Sequence, residues 1–134
     1  MYLWRRLNHP HIAALEAVYQ TENSFYLVSE LLPLSLSGFI KTNGMPSRQL
    51  SLRIIEQLLE AVEYMHGRGI MHRDIKPENI MLRRHRQGEE ESYQVLLIDF
   101  GLAHGGEVGP PRRIRCGTPG YTAPEILDLP MRGS

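Results

Sequence analysis

The sequence predicts an α+β fold, and three observations point to it. Two short apolar segments, Ile12 to Tyr19 and Ser24 to Glu30, flank the polar turn "QTEN" and read as a hairpin. A run from Ser47 to His66 carries apolar residues at helical spacing. After it come a short strand, Ile80 to Leu82, and a second strand, "YQVLLIDF", apolar enough to be buried.

Composition sets the outer limits. The 134 residues suffice for one modest domain. With 42% hydrophobic and 22% charged residues the chain has a globular profile. Fifteen basic residues balance fifteen acidic ones, so bulk charge recruits neither nucleic acid nor membrane, and neither is expected as a partner. No apolar run is long enough to cross a bilayer, and Met1 to Pro10 makes a poor signal peptide. The single cysteine, Cys116, excludes an internal disulfide framework and fits a reducing compartment, the cytoplasm or the nucleus.

The elements follow in order. "MYLWRRLN" reads as the end of a helix, which Pro10 in "HPHI" interrupts. The hairpin comes next. "LLPLSLSGFI" is mixed, with Pro33 marking a change of direction. In the long helix Leu50, Ile54, Leu58, Val62 and Met65 form one apolar stripe. Ser47 is its expected N-cap, and Gly67 or Gly69 its stop. A charged turn, "RRHRQGEEES", is expected between the last two strands. Gly101 to Cys116 reads as a long irregular segment, and "APEIL" as the start of a short helix.

The chemistry concentrates in "IMHRDIKPENIML", Ile70 to Leu82, where a His, an Arg, an Asp, a Lys and an Asn sit between apolar ends. A magnesium nucleotide would explain them. Mg²⁺ prefers oxygen ligands in octahedral geometry and takes several from phosphates, so a protein need add only a carboxylate or two and an amide oxygen. Asn79 and Asp99, both at strand ends, fit that need. Asp74 is placed to accept the proton of an attacking hydroxyl. Lys76, two residues on, lies on the same side of an extended loop and could steady a transferred phosphoryl group.

In this sequence "HRDIKPEN" (His72 to Asn79), "DFG" (Asp99 to Gly101) and "APE" (Ala123 to Glu125) stand in order, with a helix before them and a strand between. This set resembles the catalytic loop, metal-binding triplet and activation-segment end of a eukaryotic serine/threonine protein kinase. "IDFGLA" and "CGTPGY" look most like the calcium/calmodulin-dependent group. The resemblance implies a protein kinase-like fold, with residues 1–30 at the end of the small lobe and 31–134 at the start of the large one. It implies a transferase that moves the γ-phosphate of ATP to Ser or Thr of a protein substrate, with ATP and Mg²⁺ as cofactors. Asp74 would be the catalytic base, Lys76 the γ-phosphate contact, and Asn79 and Asp99 the metal ligands. Thr118 would touch Asp74 and Lys76. Arg73 is the family's usual partner for a phosphorylated activation loop. "FYLVSELLP" resembles the strand and hinge of the adenine pocket, with Ser29 as gatekeeper, Glu30 and Leu32 in the hinge and Met81 beneath the base.

The chain departs from the family pattern in three places. Where the family has a Gly-Gly pair and an acid for the ribose, "LSLS" stands here. The family's Gly-rich phosphate loop, strand-three Lys, helix-C Glu and later large-lobe helices have no counterpart in the sequence. The chain is therefore expected to be the middle of a kinase domain, incomplete and inactive by itself, with any calmodulin-like or regulatory partner acting outside it. Finally, His104 to Cys116 holds no Ser, Thr or Tyr, and the usual phosphosite position is Ile114. Control by loop phosphorylation is not expected. A non-catalytic kinase-like interaction module is the alternative; the presence of Asp74, Lys76, Asn79 and Asp99 speaks against it, since a scaffold has no physical need for them.

Other features read more plainly. His72 lacks a second His or Cys at ligand spacing and is expected to be a buried structural residue. Cys116 is expected to pack rather than react. "RRHRQ" next to "EEE" reads as a solvated hairpin tip. Gly105, Gly106 and Gly109 match no nucleotide-binding fingerprint.

Overall fold

The structure, a computed structural model, describes residues 2–87, 90–105 and 115–128. A short helix α1 (Tyr2–Arg5) leads into the hairpin β1 (Leu15–Gln20) and β2 (Phe25–Ser29). Helices α2 (Leu36–Asn43) and α3 (Arg48–His66) follow, then a two-residue strand β3 (Ile70–Met71) and a 3-10 turn, Pro77–Asn79. Strands β4 (Ile80–Gln87) and β5 (Glu90–Leu97) form a second hairpin; β6 (His104–Gly105) pairs with β3, and α4 is Pro124–Leu127. All three ladders are antiparallel.

The β4–β5 hairpin organises the rest. Its base takes up the chain after α1, where Leu97 N–H donates to His11 O and Ala13 N–H to Leu97 O, both at 3.0 Å. Its other strand receives the segment before α2, through Leu82 N–H to Leu34 O at 2.8 Å and a Ser35–Met81 bridge. Helix α3 caps one face. Its Gln57 carboxamide accepts from Val95 N–H at 2.9 Å and donates to Tyr93 O at 3.1 Å, serving the β5 edge as a neighbouring strand would.

The expected stripe drives the packing. Ile54, Ala61 and Met65 of α3 are buried, with Leu50, Leu58 and Val62 partly so. They meet Leu82, Val95 and Leu97 of the hairpin in one core. Trp4 joins it by stacking on Phe100 at 5.5 Å, with its indole N–H on Ala13 O at 2.6 Å. Burying a Leu- or Met-sized side chain stabilises by about 1.5–3 kcal/mol, so this junction of α1, α3 and the hairpin holds the chain together.

Expectation and structure differ in four places, one being the segment read as irregular from Gly101 on, where His104–Gly105 form β6 and pair with β3. The first hairpin strand begins at Leu15, with Ile12 spent on a bridge to Leu97. The mixed segment after Pro33 contains a helix, α2: the Ser35 side chain accepts from Gly38 N–H at 3.0 Å, and Gly44, at φ 77°, ends it. The charged stretch expected as a turn is mostly strand, because the ladder runs on from Arg83↔Gln94 to Gln87↔Glu90. Long arginine and glutamate side chains satisfy an exposed ladder as well as a loop, so polarity alone misplaces the turn. The exposed side chains of Arg84, His85 and Arg86 agree with the solvated character expected there.

Candidate active site

The stretch that opens at Ile70 is held by its histidine. His72 is 2% exposed. Its Nδ1 accepts from Asp74 N–H at 3.2 Å, so its Nε2 carries the proton and donates to Ile98 O at 2.9 Å. The ring also lies edge-on to Phe100 at 4.9 Å. Burial is the main influence on this imidazole and pushes its pKa below the ordinary value. One neutral side chain thus joins the loop of Asp74 to the segment of Asp99. Both flanks are strained: Arg73 and Asp99 adopt φ of 67° and 60°, a region that costs non-glycine residues roughly 1–3 kcal/mol.

Asp74, 8% exposed, is the centre of a fully engaged cluster. Its Oδ2 lies 3.1 Å from Lys76 Nζ and accepts from Asn79 Nδ2 at 3.1 Å. Thr118 completes it from far along the chain. Lys76 Nζ donates to Thr118 Oγ1 at 2.6 Å, and Thr118 Oγ1 donates to Asp74 Oδ1 at 2.6 Å. The ammonium can only donate, so the hydroxyl proton must point at the carboxylate. Burial works to raise the Asp74 pKa, but donation by Thr118, Lys76 and Asn79 outweighs it and holds the carboxyl below its usual range.

Thr118 reaches Asp74 because the backbone comes unusually close. Gly117 has φ 101°, and a Cβ there would stand 3.0 Å from Arg73 O and 2.9 Å from Thr122 Oγ1. Only glycine permits that approach. Thr122 Oγ1 then donates to Thr118 O at 2.9 Å. Gly117 and Thr122 were not singled out from the sequence; the signal was the glycine beside Thr118 and the second threonine four residues on. Arg73, the usual phosphate partner, turns its Nε–H to Leu102 O at 2.6 Å.

The oxygen donors sit at the strand ends. Asn79 commits its amide nitrogen twice, to Asp74 O at 2.9 Å and to Asp74 Oδ2, so its side-chain oxygen is the atom it could offer a cation. Ile98 N–H donates to Asn79 O at 3.0 Å, so Asp99 follows within one residue of that contact. Asp99 is exposed, and its Oδ1 accepts from Gly101 N–H at 3.2 Å. Among the described residues no cluster of three or more His, Cys, Asp or Glu forms a protein-only metal cage. One amide oxygen and one carboxylate suit a hard cation that arrives with phosphate ligands of its own.

The residues expected at the hinge lie at the end of β2, in the segment after it and on β4. Ser29, Leu32 and Met81 are half-buried, and the Ser35–Met81 bridge lays the segment after β2 across Met81. Glu30 is exposed and forms an ion pair with Arg83. A separate groove of about 650 Å³ lies between α2, α3 and β5, and no residue named for the chemistry lines it. Cys116 is a free, half-buried thiol, Glu125 stands exposed in the first turn of α4, and Ile114 lies outside the described residues.

A family profile described as "Protein kinase domain" matches residues 1–134. The chain belongs to the protein kinase domain family. This kinase-domain chain is 39% identical over 124 residues to calcium/calmodulin-dependent protein kinase type 1 of Macrobrachium nipponense, covering 92% of this chain and 34% of that protein. It is 38% identical over 133 residues to the phosphorylase b kinase gamma catalytic chain, liver/testis isoform, of Mus musculus (98% and 31%). To myosin light chain kinase A of Dictyostelium discoideum it is 36% identical over 125 residues (92% and 41%). The kinase-domain chain thus spans about a third of the length of the curated relatives it matches. The expected family and the mixed helix-and-strand fold agree with these matches.

Proposed function

We propose that this chain carries part of the catalytic machinery of a serine/threonine protein kinase, which transfers the γ-phosphate of ATP to a hydroxyl of a protein substrate. The observation that carries the reading is the Asp74–Lys76–Thr118 cluster. A scaffold gains nothing from a buried carboxylate held by an ammonium and a hydroxyl at 2.6–3.1 Å. A phosphotransferase gains a base of fixed direction.

Each residue then has a task. Asp74 stays ionised at neutral pH and would receive the proton of the acceptor hydroxyl as that oxygen bonds to the γ-phosphorus and the bond from that phosphorus to the bridging oxygen breaks, with ADP leaving. Among the described residues Lys76 uses two of its three N–H donors, on Thr118 and Asp74, and the third is free for a phosphoryl oxygen. Asn79 and Asp99 would hold Mg²⁺, which when bound draws charge from the phosphates. Glu30 and Leu32 in the segment after β2, with Met81 beneath, would receive the adenine. A calmodulin-like or flanking regulatory partner is part of the reading, supported by the likeness to the calcium/calmodulin-dependent relative. So is a cytoplasmic or nuclear setting, supported by a lone free cysteine.

The test uses the full-length protein with labelled ATP and a Ser/Thr peptide library. Wild type should label peptides, and Asp74→Asn should cut turnover by roughly two or more orders of magnitude while ATP affinity changes little. Equal turnover of the two proteins refutes the assignment.

A further inference from the structure

The hairpin face that carries Met81 also carries a polar relay through Arg83 and Gln94, two residues that the chemistry above does not use. Residues two apart on a strand share a face, so Arg83 stands beside Met81. Arg83 Nε donates to Glu30 Oε1 at 3.0 Å, and its Nη2 pairs with Glu30 Oε2. Its remaining nitrogen, Nη1, donates to Gln94 Oε1 at 2.8 Å; Gln94 is its cross-strand partner on β5. Gln94 Nε2 donates to Pro10 O at 2.8 Å. The amide orientation is dictated by its neighbours, since a guanidinium only donates and a peptide carbonyl only accepts.

Three chain segments meet in this relay: the stretch after β2 at Glu30, the hairpin at Arg83 and Gln94, and the loop after α1 at Pro10. A lone exposed ion pair contributes little to stability. A two-pronged guanidinium–carboxylate contact fixes direction as well as distance, and here the guanidinium is itself fixed by Gln94. The segment from Glu30 to Ser35 is thereby held to β4 at two points, by the Arg83 side chain at one end and by backbone pairing with Met81 at the other. The gap between them is where an adenine lies in the reading above.

We propose that Arg83, oriented by Gln94, is a positioning residue for nucleotide binding: it sets the spacing of residues 30–32 above Met81. This rests on the kinase reading, in which those residues receive ATP. Loss of the contact weakens capture of the base and leaves the Asp74 chemistry alone, so KM for ATP moves and kcat does not.

The experiment uses the full-length protein. Arg83→Met, which keeps the stem and removes the fork, should raise KM for ATP roughly three- to tenfold, with kcat within about twofold. Its Kd for a non-hydrolysable ATP analogue, by calorimetry, should weaken equally, and amide hydrogen exchange at residues 31 and 32 should quicken. Gln94→Leu should give a smaller shift in the same direction. Unchanged KM and Kd in Arg83→Met, or an equal fall in kcat and affinity, overturns the proposal. If wild type binds the analogue but transfers no phosphate, the kinase reading fails and the Kd shift still decides for or against Arg83. If wild type binds no nucleotide, both fall.

Discussion

Thr118 and Asp74 stand 44 positions apart in the chain, yet the threonine hydroxyl donates to the aspartate Oδ1 at 2.6 Å. The same hydroxyl accepts from Lys76, so one small side chain aligns the carboxylate and the ammonium together. Thr118→Ala should therefore lower kcat of the full-length enzyme by about ten- to a hundredfold, with a smaller change in KM for ATP. Thr118→Ser keeps the hydroxyl and should retain most of the activity. Steady-state kinetics of the two variants decides; equal losses would place the effect in packing instead.

The buried imidazole of His72 predicts a pH dependence of stability. Its folded-state pKa is lowered, chiefly by burial. The unfolded chain takes up a proton near pH 6.5, while the folded one resists it until lower pH. The contribution is complete above about pH 6.5 and is lost as pH falls toward the folded-state value, by up to about 1.4 kcal/mol per pH unit. Asp74, also lowered, acts in another window: its contribution holds above about pH 3.9 and is lost below, through its folded-state value. Urea unfolding of the full-length protein between pH 5 and 7.5 should show a shallower slope for His72→Gln than for wild type. Parallel curves would remove His72 as the cause.

Helix α3 carries a second apolar face. Leu52, Ile55 and Leu59 are half or more exposed, at 52%, 50% and 60%, and Phe25, Tyr26 and Leu27 of β2 are exposed as well. Each such side chain left in water forgoes roughly 1.5–3 kcal/mol of burial, against a typical domain stability of about 5–15 kcal/mol. The isolated 134-residue polypeptide should self-associate, bind a hydrophobic dye and show no phosphotransfer. A monomeric sample that melts cooperatively and labels peptides would contradict this.

Arg73 offers its Nε–H to the Leu102 carbonyl at 2.6 Å, a partner that needs no phosphate. His104 to Cys116 contains no hydroxyl side chain. We expect full activity of the full-length enzyme without phosphorylation between Asp99 and Glu125. Phosphatase treatment followed by assay and phosphosite mapping tests it; activity lost together with a phosphate in that interval would refute the expectation.

The sequence by itself determined the family, the long helix and the loop residues. Those signals are local or ordered along the chain: apolar residues at three- and four-residue steps from Leu50 to Met65, and a polar run fixed in register with "DFG" and "APE". It also marked His72 as structural, since no second His or Cys stands at metal-ligand spacing from it. Helix α2 was within reach, because Ser35 and Gly44 are ordinary cap signals, but Pro33 and the serines masked them. Only the tertiary structure decided the rest. The length of the β4–β5 ladder depends on pairing across two charged strands, which periodicity cannot see. The family resemblance implies the contact of Thr118 with Asp74 and Lys76, but the close approach of Gly117 to Arg73 O that permits it exists only in the folded chain, since no spacing rule relates residues that far apart. The Glu30–Arg83–Gln94–Pro10 relay joins three segments whose polar residues look like ordinary solvated surface in one dimension. Hydrophobic patterning records what a residue is buried against, whereas a hydrogen bond's direction exists only once both partners have been placed.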